Sequence, residues 1–202
     1  EQQRVSELIG NEKLLYVEPQ HKDKFLKKMW ELSGAVREQQ EVTITYRRTD
    51  GVQVQRTVQP VGIMFSEFYF YLIAFLTPKD KQKVKFEIEN DPFPTIYRID
   101  RIKGFTVTDK HFAVPYAKRF EEGEFRKRIQ FMYGGHLQRL RFYFKGSCYE
   151  YILDRLPTAK VVQEDEKGTL IEAEVFGKGI DIWLKSQGEL IEVVSRQELA
   201  VN

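Results

Sequence analysis

The chain has one cysteine, three histidines, two tryptophans and no apolar run long enough to span a membrane. A lone cysteine, Cys148, excludes an internal disulfide framework and fits a reducing, cytoplasmic compartment. The longest apolar run, Phe68 to Leu76, has the length of a strand, far short of the roughly 18 residues a spanning helix needs. No secretory leader is evident, and the chain opens Glu1-Gln2-Gln3 without Met. We therefore expect a piece of a longer protein. Charge of one sign is also lacking, because the net charge is +2. Residues 136–202 carry 9 basic and 11 acidic side chains, against 23 and 19 before them. A mildly basic front half follows, without the strong field that draws nucleic acid or anionic membrane to a whole surface.

Catalytic patterns are missing too. His21, His111 and His136 are scattered, and no paired-cysteine or HExxH spacing offers a metal site. Cys148 has no histidine nearby in sequence and reads as a small buried residue. There is no GxSxG elbow, GxGxxG loop or Walker A motif, and Gly177-Lys178-Gly179 reads as a turn. The pairs Glu121-Glu122 and Asp165-Glu166 lie in polar stretches that would leave their carboxylates solvated. No catalytic residue, cofactor or metal is expected, and the chain is expected not to be an enzyme.

What the chain does have is aromatic residues in alternating runs, 15 Phe and 10 Tyr. That pattern favours strands. Ahead of them, Phe25, Met29, Leu32 and Val36 form one apolar stripe of a helix over about Asp23 to Gln40, with Asp23 as N-cap. Val42, Ile44 and Tyr46 then alternate with polar residues, and Thr49-Asp50-Gly51 supplies a hairpin turn into Val52 to Val58. Pro60 should break that strand. Val61–Phe65 and Phe68–Phe75 should pair next, the second buried on both faces. Val84, Phe86 and Ile88, an Asp91-Pro92-Phe93-Pro94 corner and a strand from Thr95 to Asp109 complete a set that a small barrel would close. Pro115 to Met132 reads as a charged helix containing Arg126-Lys127-Arg128, and Gly134-Gly135 as a boundary. The tail reads strand, helix, strand, strand, helix, strand, the βαββαβ order of a ferredoxin-like sandwich. The predicted class is thus α+β, a small antiparallel β-barrel with flanking helices followed by a ferredoxin-like domain. Its divisions are 1–40, 41–133 and 134–202.

One segment invites a ligand. In Tyr97-Arg98-Ile99-Asp100-Arg101-Ile102, strand alternation puts Arg98 and Asp100 opposite Tyr97 and Ile99. Ile102 is out of phase with Ile99, so a bulge or bend near Asp100-Arg101 is expected, and it could bring Arg98 and Arg101 to one side. Two guanidiniums, one oriented by a carboxylate, suit phosphate or carboxylate recognition. A purely structural Arg–Asp pair is the competing reading. The run Arg126-Lys127-Arg128 is a second basic patch, read more simply as a solvated helix face.

These residues also carry a resemblance. Phe70-Tyr71-Leu72 resembles the Trp-Tyr-Leu signature of the WYL domain, with Phe in place of Trp, which removes an indole N–H. Val58-Gln59-Pro60-Val61-Gly62-Ile63 resembles the strand leading into it, Tyr46-Arg47-Arg48-Thr49-Asp50-Gly51 the opening hairpin, and Tyr97 to Ile102 the family's Phe-Arg-Leu-Asp-Arg-Ile segment. The region after Gly135 is similar to the WCX extension. The resemblance implies an Sm/SH3-like barrel and a bacterial transcriptional regulator, a homodimer through its extension, whose helix-turn-helix contacts promoter DNA from outside this chain. It also implies that the barrel senses a nucleotide or short single-stranded nucleic acid effector. The expected ligand-binding residues are Arg98, Arg101, Tyr71 and Arg47, with Asp100 as orienter and Tyr46 at the margin. Burial in the doubly covered strand is the rival for Tyr71. A protein–protein interaction module without a small ligand is the alternative function.

Overall fold

The computed structural model describes residues 25–84, 93–114 and 121–199. Helix α1, Phe25–Arg37, is followed by β1 (Gln40–Arg47), β2 (Gln53–Ser66), β3 (Tyr69–Leu76) and a single helical turn α2 (Pro78–Lys81). Next come β4 (Thr95–Arg98), a 3-10 turn (Ile99–Arg101), β5 (Ile102–His111) and α3 (Glu122–Arg128). The remainder is β6 (Leu137–Phe144), α4 (Glu150–Arg155), β7 (Lys160–Asp165), β8 (Gly168–Phe176), α5 (Gly177–Ser186) and β9 (Ile191–Glu198). The expected N-cap Asp23, the strand residues Phe86 and Ile88, the corner Asp91-Pro92 and the helix start at Pro115 lie outside the described residues.

The first five strands form one antiparallel sheet in the order β4-β3-β2-β1-β5. Strands β4 and β5 sit on opposite edges, yet only three residues separate them in sequence. A flat five-stranded sheet would hold its edges about 19 Å apart, whereas a three-residue 3-10 turn advances about 6 Å. The sheet must therefore curl strongly. No β4–β5 ladder occurs among the described residues, so a closed barrel is not shown.

Pro60 does not end its strand. Strand β2 runs through it, pairing Gln53–Val58 with β1 and Val58–Ser66 with β3, and a register shift falls between Pro60 and Gly62. A bulge is where a strand tolerates a residue that lacks an N–H. It also turns the strand so that its two halves serve different parts of the curl.

Alternation then sorts side chains into two cores. Val42, Ile44, Val58, Leu72, Ala74, Tyr97, Ile99 and Ile102 point inward, where α1 closes over them with Leu32 and Ala35. Met29 and Val36 of the same stripe pack at the margin, and Trp30 on the far side of α1 is 83 % exposed. The outer face of β2 and β3 presents Met64, Tyr71 and Ile73 to Phe125, Ile129, Met132 and Phe176. Strand β3 is thus buried on both faces, as its unbroken apolar run predicts.

The second sheet has the order β7-β8-β6-β9, every neighbouring pair antiparallel. One face carries Leu140, Phe142, Phe144, Ile171, Ala173 and Val175 against Ile152 and Leu156 of α4 and Ile180, Trp183 and Leu184 of α5. The opposite face is charged. There Glu172, nearly buried, accepts from Arg141 at 2.6 Å and lies 2.9 Å from Lys160. Phe176 ends β8 inside the outer core of the first sheet, its ring 4.7 Å from that of Phe93. One residue thereby joins the two sheets.

A tight junction lies between α3 and β6. Phe131 and Met132 both adopt left-handed backbone, at φ 50° and 55°, a conformation that costs a non-glycine residue about 1–3 kcal/mol. Gly179 of α5 faces this turn so closely that a Cβ would fall on the Gln130 carbonyl, far inside van der Waals contact. Gly179→Ala is expected to destabilise the protein by about 1–3 kcal/mol in urea unfolding, since backbone and not a flexible side chain must move. A second expectation concerns Asp80, whose carboxylate is buried and accepts the Thr57 N–H at 2.8 Å and the Lys83 ammonium at 2.9 Å. Burial opposes its charge, but those donors prevail and hold its pKa below the ordinary carboxylate value. Asp80→Ala should cost about 1–3 kcal/mol at neutral pH. The stability it contributes is complete above pH ~4 and fades as pH falls through the lowered folded value, so wild type and variant should converge in acid.

Candidate ligand site

The bend foreseen near Asp100 is the 3-10 turn Ile99–Arg101, matched by a register shift between Thr45 and Tyr46 on the facing strand. Such a turn repeats every three residues. Ile99 and Ile102, three apart, are both buried in the inner core, which anchors that repeat. Arg98 and Arg101, also three apart, are both partly exposed and lie outside that core.

Arg98 is held on three sides. Its Nε donates to Asp100 Oδ1 at 3.1 Å and its Nη2 to Oδ2 at 2.7 Å, with both side chains under one-fifth exposed. Its guanidinium carbon lies 3.4 Å above the centre of the Tyr69 ring, a stacked cation–π contact. Across the β3–β4 ladder it faces Tyr71. Burial opposes the charge on Arg98, but the Asp100 hydrogen bonds outweigh it and raise its pKa. The result is a fixed cation bordered by aromatic rings.

The expected residues divide into separate places. Tyr71 packs its ring in the outer core, edge-on to Tyr69 at 6.5 Å, so burial and proximity to Arg98 hold together. Tyr46 turns inward and meets Tyr97 edge-on at 5.1 Å, on the opposite face from Arg98. Arg47, one residue on, is exposed, and the ladder pair Tyr46–Ile102 is the last of the β1–β5 ladder, with Arg47 ending β1 and Arg101 ending the 3-10 turn just beyond it. Neither makes an ion pair with a described residue. Tyr69 was missed by sequence reasoning, although it shares Tyr71's parity along β3.

The competing basic run is internally satisfied. Arg126 pairs with Glu122 at 2.8 Å, Lys127 with Glu124 at 2.6 Å, and Arg128 with Glu124 and Glu174. Hydrogen bonds from Lys127 and Arg128 hold the Glu124 carboxyl down to about 2. Cys148, expected to be buried, is exposed instead, just ahead of α4. Its thiol donates to Glu150 at 2.8 Å, which pushes its pKa up, the reverse of an activated nucleophile. Among the described residues no cluster of His, Cys, Asp and Glu could hold a metal, and no helix is long and apolar enough to cross a membrane.

With that geometry in place, comparison with known proteins points to one family for the first sheet. Residues 28–107 match the WYL domain. The matched stretch contains β1 to β4, the 3-10 turn and the Arg98 cluster, and leaves the second sheet outside. No curated protein matches. A solved structure described as a CRISPR Cas-related protein superposes at a TM-score of 0.51 with 15% identity, covering 83% of this chain and 46% of its own. Another, the proteasome accessory factor B/C of Arthrobacter aurescens, superposes at 0.42 with 13% identity, covering 90% of this chain and 26% of its own. This chain spans less than half the length of either, and the likeness to the first is one of fold.

The segment that matches the WYL domain carries a signed electrostatic test. Burial pushes the Tyr71 hydroxyl above its ordinary range, while Arg98 pulls it down and Asp100 pushes it up. Arg98→Ala is therefore expected to move the Tyr71 titration to higher pH and Asp100→Ala to lower pH. Carbon-13-labelled tyrosine spectra of the two variants would follow it. Shifts of the same sign would break the assignment.

Proposed function

We propose that this chain is the effector-sensing part of a transcriptional regulator and binds a nucleotide-like or short single-stranded nucleic acid ligand at Arg98. In this reading it modulates a DNA-binding domain lying outside the chain, and no catalysis is assigned to it. The observation that carries the reading is the Arg98 cluster. A guanidinium fixed by Asp100 sits on the Tyr69 ring and beside Tyr71, within the stretch that matches the WYL domain. Phosphate oxygens suit the arginine fork, and neighbouring tyrosine rings suit a base. Arg101 and Arg47 extend the same basic edge. Asp100 then has two roles, orienting Arg98 in the free protein and yielding part of its hydrogen bonding to an incoming phosphate.

The second sheet is read as a WCX-like, ferredoxin-like extension that forms a homodimer. The βαββαβ element order and the strand order β7-β8-β6-β9 support the first half of that reading. A ligand would act by preferring one arrangement of the assembled regulator over another, which requires different affinities for the two.

An interaction module remains the second reading, favoured by Phe65 and Phe68, half or more exposed at the β2–β3 tip. Titration of fluorescently labelled short single-stranded oligonucleotides at several salt concentrations separates the two. Wild type should bind with affinity that falls as salt rises, and the Arg98→Ala, Arg101→Ala double variant should bind about 10–100-fold more weakly. Failure of the wild type to bind any oligonucleotide or mononucleotide would remove the sensor reading and leave the interaction module.

A further inference from the structure

The left-handed turn between α3 and β6 does more than connect. Gln130-Phe131-Met132-Tyr133 is closed by the Tyr133 N–H donating to the Gln130 carbonyl at 3.1 Å, and both central residues have positive φ. Turns of this class ordinarily take Asn-Gly, which adopts the conformation without strain. Here two large apolar residues occupy it, so packing must hold what the backbone resists.

The packing runs in two directions. Phe131 packs against the core of the second sheet, and the Arg155 guanidinium lies over its ring at 4.8 Å. Met132, 7% exposed, belongs to the outer core of the first sheet together with Tyr71. Adjacent side chains are therefore anchored in different cores. Arg155 makes a second bridge, its Nη1 and Nη2 reaching Glu67 Oε1 at 3.5 and 3.4 Å. Glu67 stands two residues before Tyr69, the ring beneath Arg98. Strand β3, which carries Tyr69 and Tyr71, is thus held by the C-terminal half at two points. Tyr133, the last residue of the turn, is half exposed and directly follows Met132, which packs in the same outer core as Tyr71.

We propose that this turn mechanically links the ligand patch to the C-terminal half: Tyr133 joins Arg98, Tyr69 and Tyr71 as a contact for the base of a phosphate-bearing ligand, and Phe131 and Met132 transmit its presence between the two cores. The contact rests on the effector reading above. The link itself does not. In this proposal a push at Tyr133 or Tyr71 acts on a turn whose central residues are strained and separately anchored, and is carried through it to both cores.

Two measurements on the full chain decide it. Amide hydrogen exchange of Phe131→Ala, without any ligand, is expected to accelerate at Tyr69–Ile73 and Arg98 as well as in β6. The matched control Leu184→Ala, which truncates the C-terminal core at a side chain outside the turn itself, should leave Tyr69–Ile73 unchanged. Acceleration confined to residues 137–198 in Phe131→Ala, or equal acceleration of Tyr69–Ile73 in the control, overturns the link. Titration with the labelled single-stranded oligonucleotide then tests the contact. Tyr133→Ala should weaken binding about tenfold while Tyr133→Phe, which keeps the ring, stays near wild type. Unchanged affinity in Tyr133→Ala overturns the contact. If wild type itself does not bind, the contact falls with the effector reading, and the exchange result still decides the link.

Discussion

Three residues, Ile99 to Arg101, join strands on opposite edges of the first sheet, and most of the surrounding architecture follows from that short connection. It forces the curl that encloses the inner core beneath α1. It sends Ile99 and Ile102 inward and leaves Arg98 and Arg101 partly exposed outside that core. The same backbone segment closes the sheet's curvature and displays the cations. A substitution that relaxed the turn would disturb packing and the candidate site together.

Strand β3 is the second shared element. Its Leu72 and Ala74 belong to the inner core and its Tyr71 and Ile73 to the outer one. The outer core is built jointly by the first sheet, α3, the Gln130–Tyr133 turn and Phe176 from the second sheet. The ring supporting Arg98 is therefore on a strand that cannot move without disturbing side chains of both halves.

Much of this was legible in the sequence because local rules and tertiary packing agree. The Thr49-Asp50-Gly51 turn forms with Gly51 at φ 85° and Asp50 accepting the Val52 N–H at 3.1 Å. The phase break between Ile99 and Ile102 marked the irregular backbone at Asp100, and alternating tail residues gave the βαββαβ order. What stayed hidden depends on contacts that sequence spacing does not encode. Pro60 signals a strand end, yet a bulge accommodates it. Tyr46 and Tyr71 differ in face only once the curl is known, and Tyr69 becomes a partner only when Arg98 is seen over its ring. The left-handed turn at Phe131-Met132 contains neither Gly nor Asn, so turn chemistry could not announce it, and the neighbouring Gly134-Gly135 drew the boundary instead.

The edge-to-edge strand order also bears on how the molecule comes to be folded. Pairs β1–β2 and β2–β3 join strands close in sequence, whereas β5 must return from Ile102 to pair with β1 at Tyr46, closing a long loop. Loop-closure entropy makes such a non-local ladder slow to form compared with the hairpins. The Arg98 cluster sits where that late return begins. Its Asp100 orienter lies in the turn that opens that return, whereas its Tyr69 and Tyr71 neighbours belong to the nearer β3–β4 pair, so the candidate site draws on both a local and a non-local ladder.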